Sequence, residues 1–408
     1  MLQPAQARIS KDADWPLWPA LPLAPYGTRK TVLTEVLPGR LWTFDQLLGV
    51  FYVHVPIRMS VLRLDSGGLF VYAPVAPTKE VLKMLAPIIA AYGPVRHIVL
   101  PSVAPEHKAN AGPFARKFPE ATFWTTDRQY SFPANLPPTW LGLPRGAKTL
   151  PPSSTTDGPL AGELDFEVLT AKASKESVFQ EAAFYHRSSR SLFVCDSIIS
   201  VTSTPPPILL CEPEYRRALL YHARDDPLEK VDDTEEVRCK GWKRIVLFAN
   251  FFMPGSLMAL DPDVWLSAAP KSPMPELGWA GVLPFTWRNS VDVAFDNFAA
   301  GGAPTVAPII QIILSRAPEA SLAWLDRVCS WNFERVVPCH FDAPLQLKPS
   351  SFREAFIFLD KGENTIRSCD EDIAYVRDSL EGLPPDLALF PTKLGALRGK
   401  QCALLTET

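Results

Sequence analysis

Residues 59–73 read MSVLRLDSGGLFVYA, and this stretch decides the class of fold that the chain can adopt. Two runs rich in Val, Leu and Phe flank an Asp-Ser-Gly-Gly turn, a pattern that predicts a β-hairpin. Downstream, Thr78 is a good N-cap for an apolar-periodic helix that we expect to reach about Ala91. Residues 95–100 then read as a further strand. The order strand, strand, helix, strand therefore predicts an α/β domain.

A second hairpin is predicted at residues 182–195, where two apolar strands flank the turn Arg187-Ser-Ser-Arg190. Both strands are apolar enough to lie centrally in a sheet. A last strand is predicted at residues 333–337, directly before a Pro-Cys-His-Phe-Asp turn. Helical spacing of apolar residues predicts helices at 108–118, 242–252, 352–359 and 371–380.

We expect one main domain, at residues 57–345. An arm at residues 1–56, rich in Trp and Pro, is expected to pack on it, and residues 346–408 are expected to form a helical extension. The chain contains 42 prolines, which implies many irregular connections between regular elements. Insertions are expected where Pro, Gly and polar residues concentrate, near residues 133–162, 203–240 and 262–284.

The composition argues against several classes of protein. Lys and Arg total 41 against 44 for Asp and Glu, a net charge of −3, so the basic face typical of a nucleic-acid binder is not expected. The sequence lacks the ~18 to 20 uninterrupted apolar residues of a membrane span. The seven cysteines include no Cys-x-x-Cys pair, which favours reduced, partly buried thiols.

Three polar residues suited to metal binding follow the ends of predicted strands. They are His107, Asp196 and His340. In sheet-based α/β folds this edge collects ligand sites, because strand ends converge there while the loops are free to vary. Each residue also has an ordinary interpretation: an exposed first-turn residue for His107, a cap for Asp196 and a turn residue for His340.

The order of these elements resembles the metallo-β-lactamase-like superfamily, whose early loop reads His-x-His-x-Asp-His. The matching stretch here is Ser-Val-Ala-Pro-Glu-His at residues 102–107. Ser102 and Ala104 stand at the positions of the first two His. Glu106 stands at the position of the Asp, and His107 matches the last His. The resemblance implies an αββα sandwich in which the first metal site has lost its ligands.

What the resemblance leaves is a second site made of Glu106, His107, Asp196 and His340. Two imidazoles and two carboxylates form a reasonable mononuclear set for one divalent Zn, Mn or Fe ion. The resemblance thus implies a metal-dependent hydrolase of an ester, thioester, lactone or phosphoester. The alternative is an inactive pseudoenzyme that binds a small molecule or protein. Glu106 has an ordinary interpretation too, since a carboxylate is favoured at the start of a helix.

More narrowly, the chain resembles an uncharacterised family of this superfamily found mainly in plants, algae and cyanobacteria. The resemblance spans residues 55–345 and rests on the segments RMSVLRL, LFVYAP, FYH and SRSLFVCD. It implies a photosynthetic source, and residence in a plastid or the cytoplasm. It adds no settled activity.

Four further residues flank the candidate site in the sequence. His186 and Arg190 are candidates for substrate binding, against the ordinary interpretations of a packed core histidine and a solvated turn arginine. Cys195 and Cys339, each adjacent to a candidate ligand, are weighed as nucleophiles or soft metal ligands, although no activating base is identifiable from the sequence.

Overall fold

The computed structural model describes residues 11–15, 23–25, 27–50, 52–129, 137–158, 160–172, 178–278, 280–361, 368 and 370–381. Parts of the expected arm and C-terminal extension, and part of the first expected insertion, lie outside the described residues. Among the described residues, no helix combines the length and apolar character that crossing a membrane requires.

The strands, in chain order, are β1 Leu23–Ala24, β2 Val32–Leu37, β3 Leu41–Val50, β4 Val53–Arg63, β5 Leu69–Tyr72, β6 Val95–Leu100, β7 Thr122–Thr125, β8 Lys148–Thr149, β9 Leu164–Lys172, β10 Val178–His186, β11 Ser191–Val194, β12 Leu257–Ala259, β13 Phe285–Trp287, β14 Arg335–Pro338 and β15 Leu345–Gln346.

The α-helices are α1 Lys79–Tyr92, α2 Pro105–Ala115, α3 Pro207–Leu210, α4 Pro213–Ala223, α5 Glu235–Phe251, α6 Pro262–Ala268, α7 Val291–Ala299, α8 Pro308–Leu314, α9 Pro318–Cys329, α10 Pro349–Glu354, α11 Ile357–Lys361 and α12 Asp370–Glu381. Short 3-10 turns lie at Lys11–Ala13, Pro138–Leu141, Ala269–Lys271 and Ala300–Gly302.

The first sheet has the strand order β1-β3-β4-β5-β6-β7-β8, with β2 also paired to β3. Strands β4 and β5 form the predicted antiparallel hairpin. The turn between them needs glycine, since Gly67 and Gly68 have φ angles of 85° and 81°. Helix α1 then begins at the predicted cap, where the Thr78 hydroxyl accepts a hydrogen bond from the amide of Val81. The parallel strand β6 follows, as the sequence predicts.

The second sheet has the order β15-β14-β11-β10-β9. Strands β10 and β11 form the second predicted hairpin, and β14 lies parallel to β11. Strands β12 and β13 pair separately, as a small two-stranded sheet.

Apolar side chains of both sheets meet in one layer of core, in which Phe70 and Tyr72 of β5 pack against Phe184 of β10 and Phe193 of β11. Helices α1 and α2 cover the outer face of the first sheet. Helices α8, α9 and α10 cover the outer face of the second sheet. The four layers are helix, sheet, sheet and helix, which confirms the predicted αββα sandwich.

Three parts of the chain differ from the sequence expectation. Residues expected in the arm include β2 and β3, and β3 pairs along its whole length with β4 inside the first sheet. Strand β9 was not foreseen, although five of its nine residues are apolar and, except at Val168-Leu169, alternate with polar ones. The expected insertion at 203–240 carries α3, α4 and the start of α5, which form a helical core with α7 at the end of the first sheet.

Candidate metal centre

The four predicted ligands come together although they lie on three separate connections. Glu106 and His107 are in the first turn of α2, after β6 of the first sheet, whereas Asp196 follows β11 and His340 follows β14 of the second sheet. One ligand atom from each of the four side chains lies within 4.8 Å of all the others. The site therefore sits where the ends of these strands meet, between the two sheets.

His340 occupies the centre of the group. Its Nε2 lies 3.2 Å from Oδ1 of Asp196 and 3.9 Å from Oε1 of Glu106. The Nε2 atoms of His107 and His340 are also 3.2 Å apart. On the other side of the ring, Nδ1 of His340 is 3.0 Å from the carbonyl oxygen of Pro56. Because a carbonyl can only accept, Nδ1 carries a hydrogen and Nε2 is directed into the site.

Arg58 of β4 fixes the turn that carries His340. Its buried guanidinium donates to the carbonyl oxygens of Pro338, at 2.8 Å, and Phe341, at 2.9 Å. The same guanidinium forms an ion pair with Asp45 of β3, with Nε 2.7 Å from Oδ1. The two carbonyl bonds hold both ends of the 338–341 turn against the first sheet.

Asp196 is held by two residues that are not predicted ligands. The Ser102 hydroxyl donates to Oδ2 at 2.9 Å, which leaves Oδ1 to face the two imidazoles. The Glu181 carboxylate accepts from the amides of Cys195, at 2.7 Å, and Asp196, at 2.8 Å, and from the hydroxyl of Ser197, at 2.8 Å. Glu181 was missed in the sequence, where a carboxylate inside the apolar run of β10 was the available signal.

Burial and charge set the protonation of the group. Burial lowers the pKa of His107 to about 4, so this imidazole is neutral. Burial opposes ionisation of Asp196, but the hydrogen bond and charge of His340 outweigh it and lower the pKa to about 2. Burial also acts against charge on His340, yet Asp196 and Glu106 outweigh it and raise the His340 pKa. Burial and the charge of Asp196 raise the pKa of Glu106.

The donor set fits a borderline divalent ion. Two imidazole nitrogens and two carboxylate oxygens are ligands that Zn, Mn and Fe accept. Ser102 stands at the position where the resemblance places a His. Its hydroxyl donates a hydrogen bond to Asp196 instead. Ala104, at the second such position, has no ligand atom in its side chain, and its amide donates to the Ser102 hydroxyl.

The other two predicted site residues are not brought to this group. His186 ends β10 and pairs with Ser191 at the start of β11, whereas Asp196 lies beyond the opposite end of β11. His186 is buried, with Nδ1 2.7 Å from the Ser189 hydroxyl. Arg190 donates to the side chain of Asn332 and forms an exposed ion pair with Glu334. His186 thus contacts its own turn and Arg190 contacts the segment before β14, and substrate binding by these two residues stays a prediction.

Cys195 and Cys339 lie beneath the centre and are both buried free thiols. Burial raises the pKa of the Cys339 thiol, and it raises the pKa of Cys195 well above its usual range. Since a thiol and not a thiolate is then present at neutral pH, neither is set up as a nucleophile.

Solved structures similar to this chain are remote. The metal-soaked Flv1 flavodiiron core from Synechocystis sp. PCC6803 is 9% identical, with a TM-score of 0.40; the match covers 82% of this chain and 62% of that core. The DIM-1 metallo-β-lactamase is 10% identical, with a TM-score of 0.39, 82% of this chain and 98% of that chain being covered. A metallo-β-lactamase from Pontibacter korlensis is 12% identical, with a TM-score of 0.38 and coverages of 81% and 100%.

At such low scores, the fold assignment rests on the layers of sheet and helix described above. The chain spans less than two thirds of the flavodiiron core that it matches. No curated protein sequence matches it. Residues 38–358 match a family that is described as "Domain of unknown function (DUF4336)", and the chain belongs to this family.

Proposed function

We propose that this protein is a mononuclear metal-dependent hydrolase of the metallo-β-lactamase-like type. Its ion would be held by Glu106, His107, Asp196 and His340. One observation carries the proposal: Nε2 of His340, oriented by the carbonyl of Pro56, faces Oδ1 of Asp196 and Nε2 of His107 at 3.2 Å each.

The four candidate side chains direct lone pairs toward one another, and this arrangement favours a cation among them. A carboxylate oxygen only accepts hydrogen bonds, and the neutral His340 ring, with its hydrogen on Nδ1, presents another lone pair at Nε2. Such atoms repel one another at 3.2 Å unless a positive charge lies among them. A proton on His340 meets this need, in agreement with its raised pKa. A divalent ion meets it for all four side chains together.

The side chains around the ion would then have different roles. Glu106, whose side chain is 24% exposed, is the most accessible of the four, so substrate would approach on its side. His107, with a side chain that is 2% exposed, closes the site toward the core. A bound divalent ion would lower the pKa of a coordinated water and polarise the carbonyl or phosphoryl oxygen of an ester, thioester, lactone or phosphoester. Ser102 would keep the Asp196 carboxylate in one orientation throughout.

Hydrolysis by the metal-loaded protein tests this proposal. Protein freed of metal and then loaded with Zn²⁺, Mn²⁺ or Fe²⁺ is assayed on p-nitrophenyl acetate, a thioester, a lactone and bis(p-nitrophenyl) phosphate. We expect turnover with at least one ion, abolished by His340→Ala and kept by His97→Ala. His97 is a matched control, because it lies in β6 and contacts Trp124 rather than the site. Metal binding without turnover of any of these substrate classes would contradict the hydrolase.

A second candidate is an inactive module that binds a small molecule or a protein. The observation in its favour is that the site is satisfied without an ion: Ser102 donates to Asp196, and a protonated His340 donates to the other oxygen of the same carboxylate. The resemblance, with Ser102 and Ala104 at ligand positions, supports it as well. The protein would then take up no metal at this site. For either candidate, residence in a plastid or the cytoplasm of a photosynthetic organism rests on the family resemblance.

A further inference from the structure

A second group of metal-binding side chains lies directly beneath the proposed centre. It consists of His107, Cys195 and Cys339, and one ligand atom from each lies within 4.8 Å of the other two. All three residues are buried, with 2%, 0% and 2% of their surface exposed. The group is therefore enclosed by the core and differs from a chance cluster at the surface.

The two cysteines are neighbours because of strand pairing. In the parallel ladder of β11 and β14, Val194 is opposite Pro338, so the next residues, Cys195 and Cys339, lie side by side. The amide of Cys339 donates to the carbonyl oxygen of Cys195 at 3.3 Å, and the two thiols interact with each other. Their side chains enter the layer between the sheets, which is otherwise filled mainly by apolar side chains such as Phe184 and Phe193.

We propose that His107, Cys195 and Cys339 bind a thiophilic divalent ion of the Zn²⁺ or Cd²⁺ class. Thiolates select soft and borderline ions, whereas carboxylates suit harder ones, so this ligand set differs in preference from the carboxylate-imidazole set above. His107 is common to both sets, but Glu106, Asp196 and His340 are not needed here. The proposal holds whether or not the centre above is a hydrolase.

Distance and charge both allow such a site. Donor atoms around a tetrahedral zinc are about 3.3 to 3.8 Å apart, given bonds of about 2.0 to 2.3 Å, so separations of up to 4.8 Å close with small side-chain rotations. On binding, each thiol loses its proton to solvent. The two thiolates then balance the charge of a divalent ion, and the neutral complex avoids the cost of an unpaired buried charge. Three protein ligands leave the fourth position for a water or another small ligand.

Cobalt tests the site, because thiolate ligation gives Co²⁺ a near-ultraviolet charge-transfer absorption that carboxylate and imidazole ligands do not give. Metal-free full-length protein is titrated with Co²⁺ and compared with Cys195→Ser, Cys339→Ser, the double variant and Cys211→Ser. Cys211 is a matched control, since it is an exposed free thiol elsewhere. We expect the absorption in the wild type, a weaker band in each single variant, none in the double variant and no change in Cys211→Ser. A band that survives in the double variant would overturn the proposal.

Wild-type protein gives a measurement that needs no variant to fold. X-ray absorption at the zinc edge of the zinc-loaded protein should show sulfur neighbours at about 2.3 Å. A shell of nitrogen and oxygen alone would overturn the thiolate site. It would leave the hydrolase proposal standing, because Glu106, Asp196 and His340 supply such a shell. Sulfur ligation with no hydrolysis of any substrate would have the opposite meaning, so the two proposals fail separately.

Discussion

The hydroxyl of Ser102 donates a hydrogen bond to Oδ2 of Asp196, at 2.9 Å and across 94 positions of sequence. Ser102 lies in the loop between β6 and α2, and Asp196 follows β11, so the bond joins the two sheets at the candidate centre. It leaves Oδ1 as the atom that faces His340. A residue that stands where the resemblance expects a metal ligand thus orients a neighbouring candidate ligand.

Ser102→Ala should weaken metal binding. Removing a partner that orients a ligand typically lowers metal affinity about 10-fold to 100-fold. Titration calorimetry with Zn²⁺ measures the change, and Ser267→Ala, which removes an exposed hydroxyl on α6, serves as control. An affinity equal to that of the wild type would mean that Asp196 keeps its orientation without Ser102, or is not a ligand.

Arg58→Met should destabilise the fold strongly. The guanidinium is buried, pairs with Asp45 and satisfies the carbonyls of Pro338 and Phe341. Removing one partner of a buried pair typically costs about 3 to 5 kcal/mol. Urea denaturation measures the loss. Arg187→Met removes an exposed arginine that pairs with Asp165 and should cost about 1 kcal/mol or less. Equal losses of stability in the two variants would show that the buried contacts of Arg58 contribute no more than an exposed ion pair does.

Gly241→Ala should also reduce the free energy of unfolding. A Cβ at Gly241 would lie 1.9 Å from the carbonyl oxygen of Leu219, so α5 and α4 could not stay at their present separation. Overpacking of this kind costs about 1 to 3 kcal/mol. Gly146→Ala is the control, since a Cβ there meets nothing within 4 Å. If thermal denaturation finds both variants as stable as the wild type, the close approach of these helices is not required.

Acid should destabilise the protein through its buried histidines, two of which, His54 and His222, lie outside the candidate centre. Burial and the charge of Arg29 lower the pKa of His54 to about 4, and burial above all lowers that of His222 to about 3, from 6.5 in the unfolded chain. Below pH 6.5 the unfolded chain therefore binds more protons, and each histidine reduces stability by about 1.4 kcal/mol per pH unit until its folded pKa is reached.

Urea denaturation at pH 7 and pH 5 measures this effect. Because His222 stacks on Phe285 within an aromatic cluster, His222→Phe keeps the packing and removes one titrating group. We expect the variant to lose less stability than the wild type between the two pH values. A loss as large as that of the wild type would contradict the assignment of His222 as a neutral buried imidazole.

The hairpins and the candidate ligands at the strand ends were predictable because they depend on local pattern. The Asp-Ser-Gly-Gly turn, the Thr78 cap and the apolar run before Asp196 each carry their signal within a few residues. Convergence of Asp196 and His340 follows from one further rule, that the ends of the parallel strands β11 and β14 share an edge of the second sheet. His107 follows β6 of the first sheet and meets them because the two sheets face each other.

What the sequence did not reveal depends on packing between distant elements. One example is the hydrogen bond between Ser102 and Asp196, which depends on how the two sheets face each other. Another is the bond that Glu181 accepts from the amide of Asp196, just after β11. Strand β3 was not predicted, because the whole of residues 1–56 was interpreted as an arm from its Trp and Pro content. Substrate binding by His186 and Arg190 was predicted from their proximity to Asp196 in the sequence and from the family resemblance, and it stays a prediction. The antiparallel hairpin places their turn at the opposite end of β11 from Asp196.

Metal content is the measurement that tests the central claim most directly. Wild type and an Asp196→Asn/His340→Ala double variant, both purified without an affinity metal, are dialysed against the same buffered Zn²⁺ and assayed by elemental mass spectrometry. Both proteins are compared in a Cys195→Ser/Cys339→Ser background, because the thiol set shares His107 and could otherwise bind the ion that the variant loses. We predict that the variant binds about one ion fewer per chain than the wild type. Equal metal content in the two proteins, or none in either, would contradict a metal held by Glu106, His107, Asp196 and His340.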